Sequence, residues 1–300
     1  MAMPFVANPV KAGVNGVARK RPSLANVSSK VRSDPPRIVI HGVSGIGKTS
    51  LAAYMPSPLW IQSPGETGLE TLVSNNQLPE RPIFQFEDAA KPDLMSTQCQ
   101  SWTDLLGACD ALLNDEHTHK TLVGDVFNGW ERLCHEYVCG QEFGGDWGEK
   151  GFMAYQRGYD IAVQYWKELQ MKIDRLRTER GMYFVGLSHS KVTTFKNPVG
   201  PDYDRWEPSM HKKTWEATFG WADIVLFLNQ ETHAVDAKAG AKKAKTVTGV
   251  RMMYTTATAS WDAKHRHGIP EEIPMGSSGK EAFANLCAEM KKAKEKPQPA

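Results

Sequence analysis

The chain has 300 residues, with 36 basic and 34 acidic side chains and a formal net charge of +2 at neutral pH. That length suits one large α/β domain with tails or two small domains, and the near-neutral charge means that any nucleic-acid-binding surface has to be local. The five cysteines, an odd number, predict reduced thiols in a cytoplasmic protein, and no apolar run reaches the roughly 18 residues that a membrane span requires.

The first 36 residues are rich in Pro, Ser, Asn, Gly and basic side chains. Such a composition buries little apolar surface and predicts a mobile basic tail, either solvated or in contact with nucleic acid. The main folded domain is predicted over residues 37–275, and a closing helix with a Pro/Lys tail over 276–300.

Apolar patterning in the middle of the chain predicts alternating strands and helices. The predicted strands are 37–40, 59–62, 121–126, 182–187, 224–228 and 250–256, and the predicted helices are 48–54, 102–113, 155–180 and 282–294. The last two strands are expected to pair as a hairpin across a loop at 231–248. Strands separated by helices predict an α/β fold with a mostly parallel sheet covered on both faces and a C-terminal antiparallel hairpin.

One short segment, GVSGIGKT from Gly42 to Thr49, fits the phosphate-binding pattern G-x-x-x-x-G-K-S/T in full. In this pattern, loop N–H groups point at the phosphates, the lysine reaches the β- and γ-phosphates, and the hydroxyl serves Mg²⁺. A chance glycine-rich turn is the alternative, but the preceding strand and following helix supply the context that the motif requires. The predicted ATP and Mg²⁺ site comprises Gly42, Val43, Ser44, Gly45, Ile46, Gly47, Lys48, Thr49 and Ser50.

Polar side chains near the ends of other predicted strands complete such a site. Asp125 is predicted to hold the Mg²⁺ water shell, although Gly124 is unusual in such a strand and a surface aspartate is the alternative. Glu66 is predicted to align the attacking water, with Glu70 as a competitor and a loop residue without a role as the alternative. His189 is predicted to sense the γ-phosphate, the alternative being an ordinary strand-end histidine.

These motifs, with GMYFVGLSHSKV at 181–192 and WDAKHRHGIP at 261–270, resemble the RecA-like P-loop NTPases encoded by bacteriophages, a group described as phage ATP-binding proteins. The resemblance extends over residues 36–275. The group is related to phage single-strand annealing proteins with a RecA core and, more distantly, to RadA/Sms and KaiC-type ATPases. It implies a RecA-like core, ATP binding, a homo-oligomer, and work with phage replication or recombination proteins in the host cytoplasm.

The segment Lys264-His265-Arg266-His267-Gly268 resembles the Lys-x-Arg motif that RecA-like oligomers present on a strand edge. Two residues apart on a strand, Lys264 and Arg266 are expected to project to one face. From there they are predicted to act as catalytic cations on the γ-phosphate of a neighbouring subunit. The related RadA/Sms motif has Asn and Phe in place of His265 and His267, and a solvated basic edge strand is the alternative.

Basic and aromatic residues follow the strand that ends near His189 and predict contact with single-stranded DNA. Phosphates supply affinity for such cations, and aromatic rings stack on unpaired bases. Acidic neighbours dilute this surface, and the lysines of the 231–248 loop are alternatively a solvated tip. The predicted DNA contacts are Lys191, Lys196, Arg205, Trp206, Lys212, Lys213, Lys242 and Lys243.

Two functions follow from these features. The first is an ATPase that couples nucleotide state to binding or annealing of single-stranded DNA. The second is a nucleotide-gated loader or regulator that acts on protein partners without touching DNA. A small-molecule kinase is disfavoured because no lid-like arginine cluster follows the phosphate-binding loop. Cys134, His135 and Cys139 lack the second Cys/His pair that a zinc site requires.

Overall fold

A mixed eight-stranded sheet organises the computed structural model, which describes residues 23, 24, 27, 33–88, 91–235 and 245–295. The strands are β1 (Arg37–Gly42), β2 (Pro58–Gln62), β3 (Phe86–Asp88), β4 (Lys91–Ser96), β5 (Thr121–Asp125), β6 (Tyr183–Phe195), β7 (Tyr203–Pro208), β8 (Ile224–Val235), β9 (Lys245–Tyr254) and β10 (Glu272–Pro274). The helices are α1 (Lys48–Ala52), α2 (Gly68–Ser74), α3 (Trp102–Asn114), α4 (Phe127–Phe143), α5 (Arg157–Arg180), α6 (Lys212–Trp221) and α7 (Gly279–Glu295).

The chain divides into two units, Met1–Ser33 and Asp34–Ala300, and all of these elements belong to the second. Most of the predicted N-terminal tail lies outside the described residues. None of the helices in the described ranges is long and apolar enough to cross a lipid bilayer.

The strand order in the sheet is β10-β9-β8-β1-β6-β5-β2, and β7 pairs with β6 outside this path. The five strands from β8 to β2 are parallel, whereas β9 and β10 are antiparallel additions. The predicted α/β class, mostly parallel sheet and C-terminal antiparallel hairpin are therefore confirmed. Because parallel strands run in one direction, the carboxyl ends of β1, β2, β5 and β6 lie at one edge.

Both faces of the sheet are buried, which explains why its central strands are mostly apolar. On one face, Val39 belongs to a core formed with α3, α4 and α5. On the other face, Ile38 and Ile40 pack in a core that includes Leu51 of α1 and Leu286 of α7. The P-loop strand β1 is therefore held from both sides.

Two polar segments form strands that the sequence pattern did not predict. The predicted strand 182–187 continues to Phe195 and returns as β7, with Lys191 opposite Glu207 and Phe195 opposite Tyr203. The predicted loop 231–248 is wrong at both ends, because β8 continues to Val235 and β9 begins at Lys245. A two-stranded ribbon that leaves the sheet buries neither face fully, so its sequence lacks the apolar alternation used to recognise strands.

The glycine before the acidic end of β5 is explained by packing from α4. A Cβ atom on Gly124 would lie 2.8 Å from Cη2 of Trp130, whose side chain is fully buried. The tryptophan ring thus occupies the space that a larger residue at position 124 requires. Glycine at position 124 is therefore compatible with a strand that ends in Asp125 and is covered by the Trp130 ring.

Gly124→Ala should lower the free energy of unfolding by about 1–3 kcal/mol, because the added methyl group overpacks Trp130. Urea unfolding measures this change. Gly140→Ala is the matched control: a Cβ there meets open space on α4, so it should be neutral or stabilising by up to about 1 kcal/mol. Equal effects of the two substitutions would contradict this packing argument.

Candidate nucleotide-binding site

A cavity of about 350 Å³ lies at the carboxyl edge of the parallel strands. It is lined by Ser44, Gly45, Gly47, Lys48, Thr49, Ser50, Glu66, Gly68, Thr71, Leu72, Asp125, Val126 and His189. The structure therefore brings together Glu66, Asp125, His189 and most of the predicted phosphate-binding loop. Gly42, Val43 and Ile46, also predicted, do not line the cavity.

The phosphate-binding loop has the backbone form that its glycines allow. Gly45 and Gly47 have φ values of 76° and 111°, a region that residues with a Cβ atom rarely adopt. The helix that follows is shorter than the predicted 48–54 and ends at Ala52. With five residues, α1 contributes a small helix dipole, so the loop amides and the charge of Lys48 have to carry most of the attraction for an anion.

The Lys48 side chain is buried, with 7% exposure. Its Nζ donates hydrogen bonds to the carbonyl oxygens of Gly42 and Val43, each at 3.0 Å. Burial lowers the pKa of this ammonium group to about 8, while the charges of Asp125 and Glu66 oppose the shift. The cation thus lies inside the loop, where it needs an anion to replace the solvation it has lost.

Asp125 is only 2% exposed, and its Oδ2 atom accepts no hydrogen bond in the described structure. Burial, together with the charge of Glu66, raises the pKa of this carboxyl to about 7, while His189 and Lys48 oppose the rise. A buried carboxylate oxygen without a donor is costly and is a suitable acceptor for the water shell of Mg²⁺. Asp125 and the Thr49 hydroxyl therefore fit the predicted magnesium role.

Glu66 and His189 face each other across the cavity, with Glu66 Oε1 3.5 Å from His189 Nε2. Gln98 holds the backbone of this loop: its Nε2 donates to the Glu66 carbonyl at 3.1 Å, and its Oε1 accepts from Gly65 N–H at 3.0 Å. On the other side, Asn128 Oδ1 accepts from His189 N–H at 3.2 Å. The acid and the imidazole are thus both carried on backbone fixed by side-chain hydrogen bonds.

The competing glutamate has different surroundings. Glu70 accepts hydrogen bonds from Gln62 Nε2 and Thr97 Oγ1, each at 2.9 Å, and it does not line the cavity. Its carboxylate oxygens are therefore already occupied. The geometry favours Glu66 over Glu70 as the residue that meets a reacting water.

Gln98, Asn128 and Arg251 contribute to the site and were not predicted from the sequence. Arg251 lies on β9, and its Nη1 is 3.4 Å from the Ile46 carbonyl oxygen of the phosphate-binding loop. These residues lie outside the contiguous motif. Only Asn128 offered a local signal, because it follows the acid at the end of β5 by three positions.

Within one chain, Lys264 and Arg266 lie at the edge of the sheet opposite the cavity. The edge strand predicted for them is wrong: Lys264 forms only an isolated antiparallel bridge with Val225, near the start of β8. Its ammonium group donates to the Phe219 and Gly220 carbonyls at the C-terminal end of α6. The side chain of Arg266, in contrast, is 61% exposed and lies 3.8 Å from Asp223.

Two of the predicted DNA contacts at the hairpin formed by β6 and β7 are paired with acidic side chains. Lys196 pairs with Asp202, and Arg205 pairs with Asp262 and lies 3.6 Å from Glu207. Ion pairs of this kind reduce the charge that a phosphate backbone encounters.

The remaining predicted contacts differ in accessibility. Lys191 donates to the Met210 carbonyl, Lys213 pairs with Asp160, and Trp206 packs in a small apolar cluster with Phe227 and Tyr254. Lys212 is well exposed and has a loose 3.9 Å contact with Glu216. Lys242 and Lys243 lie outside the described residues.

The pKa of Asp125 predicts how its replacement changes stability with pH. Its folded-state pKa of about 7 lies above the ordinary value of 3.8, so the folded protein binds more protons than the unfolded chain between these values. The contribution of the Asp125 carboxyl to the unfolding free energy of wild type is therefore lost as the pH rises from 3.8 to about 7. The unfolding free energy of Asp125→Asn minus that of wild type should grow by about 2–3 kcal/mol from pH 5 to pH 8.

Denaturant unfolding at several pH values without nucleotide tests this expectation. Asp93→Asn, at an exposed position on β4, provides the control and should run parallel to wild type. Parallel curves for Asp125→Asn as well would show that the Asp125 carboxyl does not titrate in this range.

Comparison with known proteins places this site within a family. The chain is similar to the crystal structure of the RadB recombinase, with a TM-score of 0.40 and 9% sequence identity over 83% of this chain and 90% of that chain. No curated protein matches the chain. Residues 34–267 match the family AAA_24, described as an AAA domain. Because this match covers most of the chain, the protein belongs to that AAA domain family.

Proposed function

We propose that the protein is a RecA-like NTPase that binds and hydrolyses Mg²⁺–ATP and couples nucleotide state to single-stranded DNA. The observation that carries the proposal is the convergence of Lys48, Thr49, Asp125, Glu66 and His189 on one cavity. The strand order supports the RecA-like part, because one strand, β6, separates the P-loop strand β1 from the acidic strand β5. The resemblance to phage ATP-binding proteins supports recombination or replication of phage DNA as the setting.

The side chains have separate roles in this proposal. Bound Mg²⁺ would neutralise phosphate charge, and the Thr49 hydroxyl and the Asp125 carboxylate are the groups that would hold it. Lys48 exchanges the Gly42 and Val43 carbonyls for phosphate oxygens. Glu66 leaves His189, orients water and accepts its proton, while the His189 imidazole turns to the γ-phosphate.

The course of β6 supports coupling between nucleotide and DNA. This strand runs without interruption from His189 at the cavity to Lys191 and Phe195 on the hairpin. A groove of about 710 Å³ lies between that hairpin and α6, and its lining includes Lys196 and Lys212. In the proposed mechanism, a displacement of His189 by the γ-phosphate is transmitted along this strand to the proposed DNA surface, which begins two residues later at Lys191.

The second candidate, a nucleotide-gated loader or regulator of protein partners, is favoured by the ion pairs on that same surface. Arg205, Lys196 and Lys213 each have an acidic partner, and Trp206 is engaged in packing. A surface with balanced charge is better suited to protein than to a polyanion.

ATP hydrolysis with and without single-stranded DNA, at low and moderate salt, separates these candidates. A DNA-stimulated rate that Lys48→Ala abolishes supports the DNA-coupled ATPase. Stimulation should weaken as salt increases, because phosphate contacts release counterions. ATP binding with no DNA effect at either salt concentration would reject DNA coupling and support a protein partner.

Glu66→Gln should lower the ATP turnover rate by about a hundredfold or more while nucleotide affinity changes little, because it removes only the group that accepts the proton. Glu70→Gln is the matched control, since its oxygens contact Gln62 and Thr97, and it should retain turnover within a few fold. Single-turnover rates and calorimetric affinities measure both quantities. A larger loss for Glu70→Gln would assign the catalytic role to Glu70.

We further propose that the protein forms a homo-oligomer in which Arg266, exposed at the edge opposite the cavity, reaches the γ-phosphate of a neighbouring subunit. Lys264 has a structural role within its own chain, because it binds the end of α6. Mixing Arg266→Ala with Lys48→Ala should restore part of the ATPase rate, since some interfaces then combine an intact loop with an intact arginine. Two inactive variants that stay inactive when mixed would exclude catalysis between subunits.

A further inference from the structure

Arg251 connects the phosphate-binding loop to the segment that leads into the last helix. From β9, its Nη1 donates to the Ile46 carbonyl at 3.4 Å and its Nη2 donates to the Gly276 carbonyl at 2.8 Å. The Met275 N–H in turn donates to the Arg251 carbonyl at 2.9 Å. One guanidinium group thus contacts two segments that are about 230 positions apart in the sequence.

The segment 275–281, which leads into the first turn of α7, is itself held in place by hydrogen bonds. Glu281 Oε2 accepts hydrogen bonds from the N–H and the hydroxyl of Ser277, at 2.8 and 2.9 Å. The Ser278 hydroxyl accepts from Glu281 N–H at 3.1 Å. This arrangement is that of a capping box at a helix start, except that the Glu281 carboxylate contacts Ser277 and not Ser278. Gly276 therefore offers Arg251 an anchor of defined position.

The same segment also contacts the start of α1. A Cβ atom at Gly279 would lie 2.2 Å from the Ser50 carbonyl oxygen, so the two backbones meet with no room for a side chain. Segment 275–281 lies beyond the family match, which ends at residue 267. The contacts that hold the phosphate-binding loop and α1 therefore include a segment outside the residues matched by the family.

The position of the guanidinium group decides which way one loop amide points. In a trans peptide the C=O of one residue and the N–H of the next point in opposite directions. A cation bound to the Ile46 carbonyl therefore directs the Gly47 N–H to the other side of the loop, and Gly47 lines the cavity. The guanidinium group also lies beside Gly47, since a Cβ there would lie 3.3 Å from Arg251 Nη1.

We propose that Arg251 is a positioning residue that holds the phosphate-binding loop in its nucleotide-binding form by bridging Ile46 to Gly276. The inference rests on the proposed nucleotide site, but it concerns the loop before nucleotide arrives. Because the loop is already ordered, less conformational freedom is lost when phosphate binds, and affinity rises. The segment 275–281 thereby tunes the affinity of the site for phosphate.

Two substitutions distinguish the bridge that Arg251 forms between the Ile46 and Gly276 carbonyls from the effect of its positive charge. Arg251→Gln removes both, whereas Arg251→Lys keeps the charge but has a single nitrogen that cannot contact two carbonyls as the planar fork does. Arg132→Gln, at a 58% exposed side chain paired with Glu136 on α4, is the matched control. Thermal unfolding without nucleotide identifies any variant that fails to fold.

Hydrogen exchange of the 44–48 amides in nucleotide-free protein is the first readout, and the calorimetric affinity for Mg²⁺–ADP is the second. Both Arg251 variants should exchange faster at these amides and bind Mg²⁺–ADP about tenfold more weakly, while Arg132→Gln matches wild type. Unchanged amide exchange in Arg251→Gln, or wild-type exchange and affinity in Arg251→Lys, would contradict the bridging role of Arg251. Failure of wild type to bind nucleotide would instead reject the proposed function, and the exchange rates would still decide whether Arg251 orders the loop.

Discussion

The parallel register of four strands is the constraint on which the rest of the structure depends. Gly42 at the end of β1 lies opposite His189 of β6, and Asp125 at the end of β5 lies opposite Gln62 of β2. A slip of one residue in any of these pairs would turn the polar side chain from the cavity edge into an apolar core. The buried faces of the sheet therefore fix the register, and the register assembles the site.

That arrangement places charge where it is costly. Lys48 and Asp125 are both buried, and burial shifts each pKa toward the neutral form. Among the described ion pairs, Lys48 and Asp125 do not contact each other directly, so each is a desolvated group suited to a partner of opposite charge. This is the usual relation between binding and stability at functional sites, because groups that bind a ligand strongly are poorly satisfied without it.

The site residues that can be predicted from the sequence are those that belong to a local motif or end an apolar strand. The phosphate-binding loop is one contiguous motif, and Asp125 ends an apolar strand, so both could be recognised from local pattern. Gln98 and Arg251 could not, because their contacts with the loops at 65–66 and 42–49 arise only when distant segments fold together. The surroundings of Lys264 could not be predicted for the same reason: only the folded chain shows that its ammonium group binds the end of α6.

The fold class was predictable because the central strands are apolar and separated by helices. The β6–β7 hairpin was not, since Lys191, Thr193 and Phe195 look like a mixed loop until Glu207, Arg205 and Tyr203 are paired with them. Local apolar periodicity reports burial against a core, and a ribbon that extends beyond the core has no such signal. Strands that extend beyond the core are therefore the ones that sequence patterns describe least well.

One buried histidine shows how closely the nucleotide site and that hairpin are connected. His41, the residue before the phosphate-binding loop, has its Nδ1 2.9 Å from Ser190 Oγ and its Nε2 2.7 Å from the Asp262 carbonyl oxygen. Burial lowers its pKa to about 4, so the ring is neutral near pH 7, with one nitrogen as donor and the other as acceptor.

The Asp262 carboxylate continues the connection. It accepts hydrogen bonds from Arg205 on β7 and from Trp215 on α6, which are the two walls of the groove beside the hairpin. His41 before the loop, the base of the hairpin and the wall of the groove are thus connected by one set of partly buried hydrogen bonds. Because a polar group that loses its partner away from water costs more than the bond contributes, these hydrogen bonds favour one arrangement of the three parts.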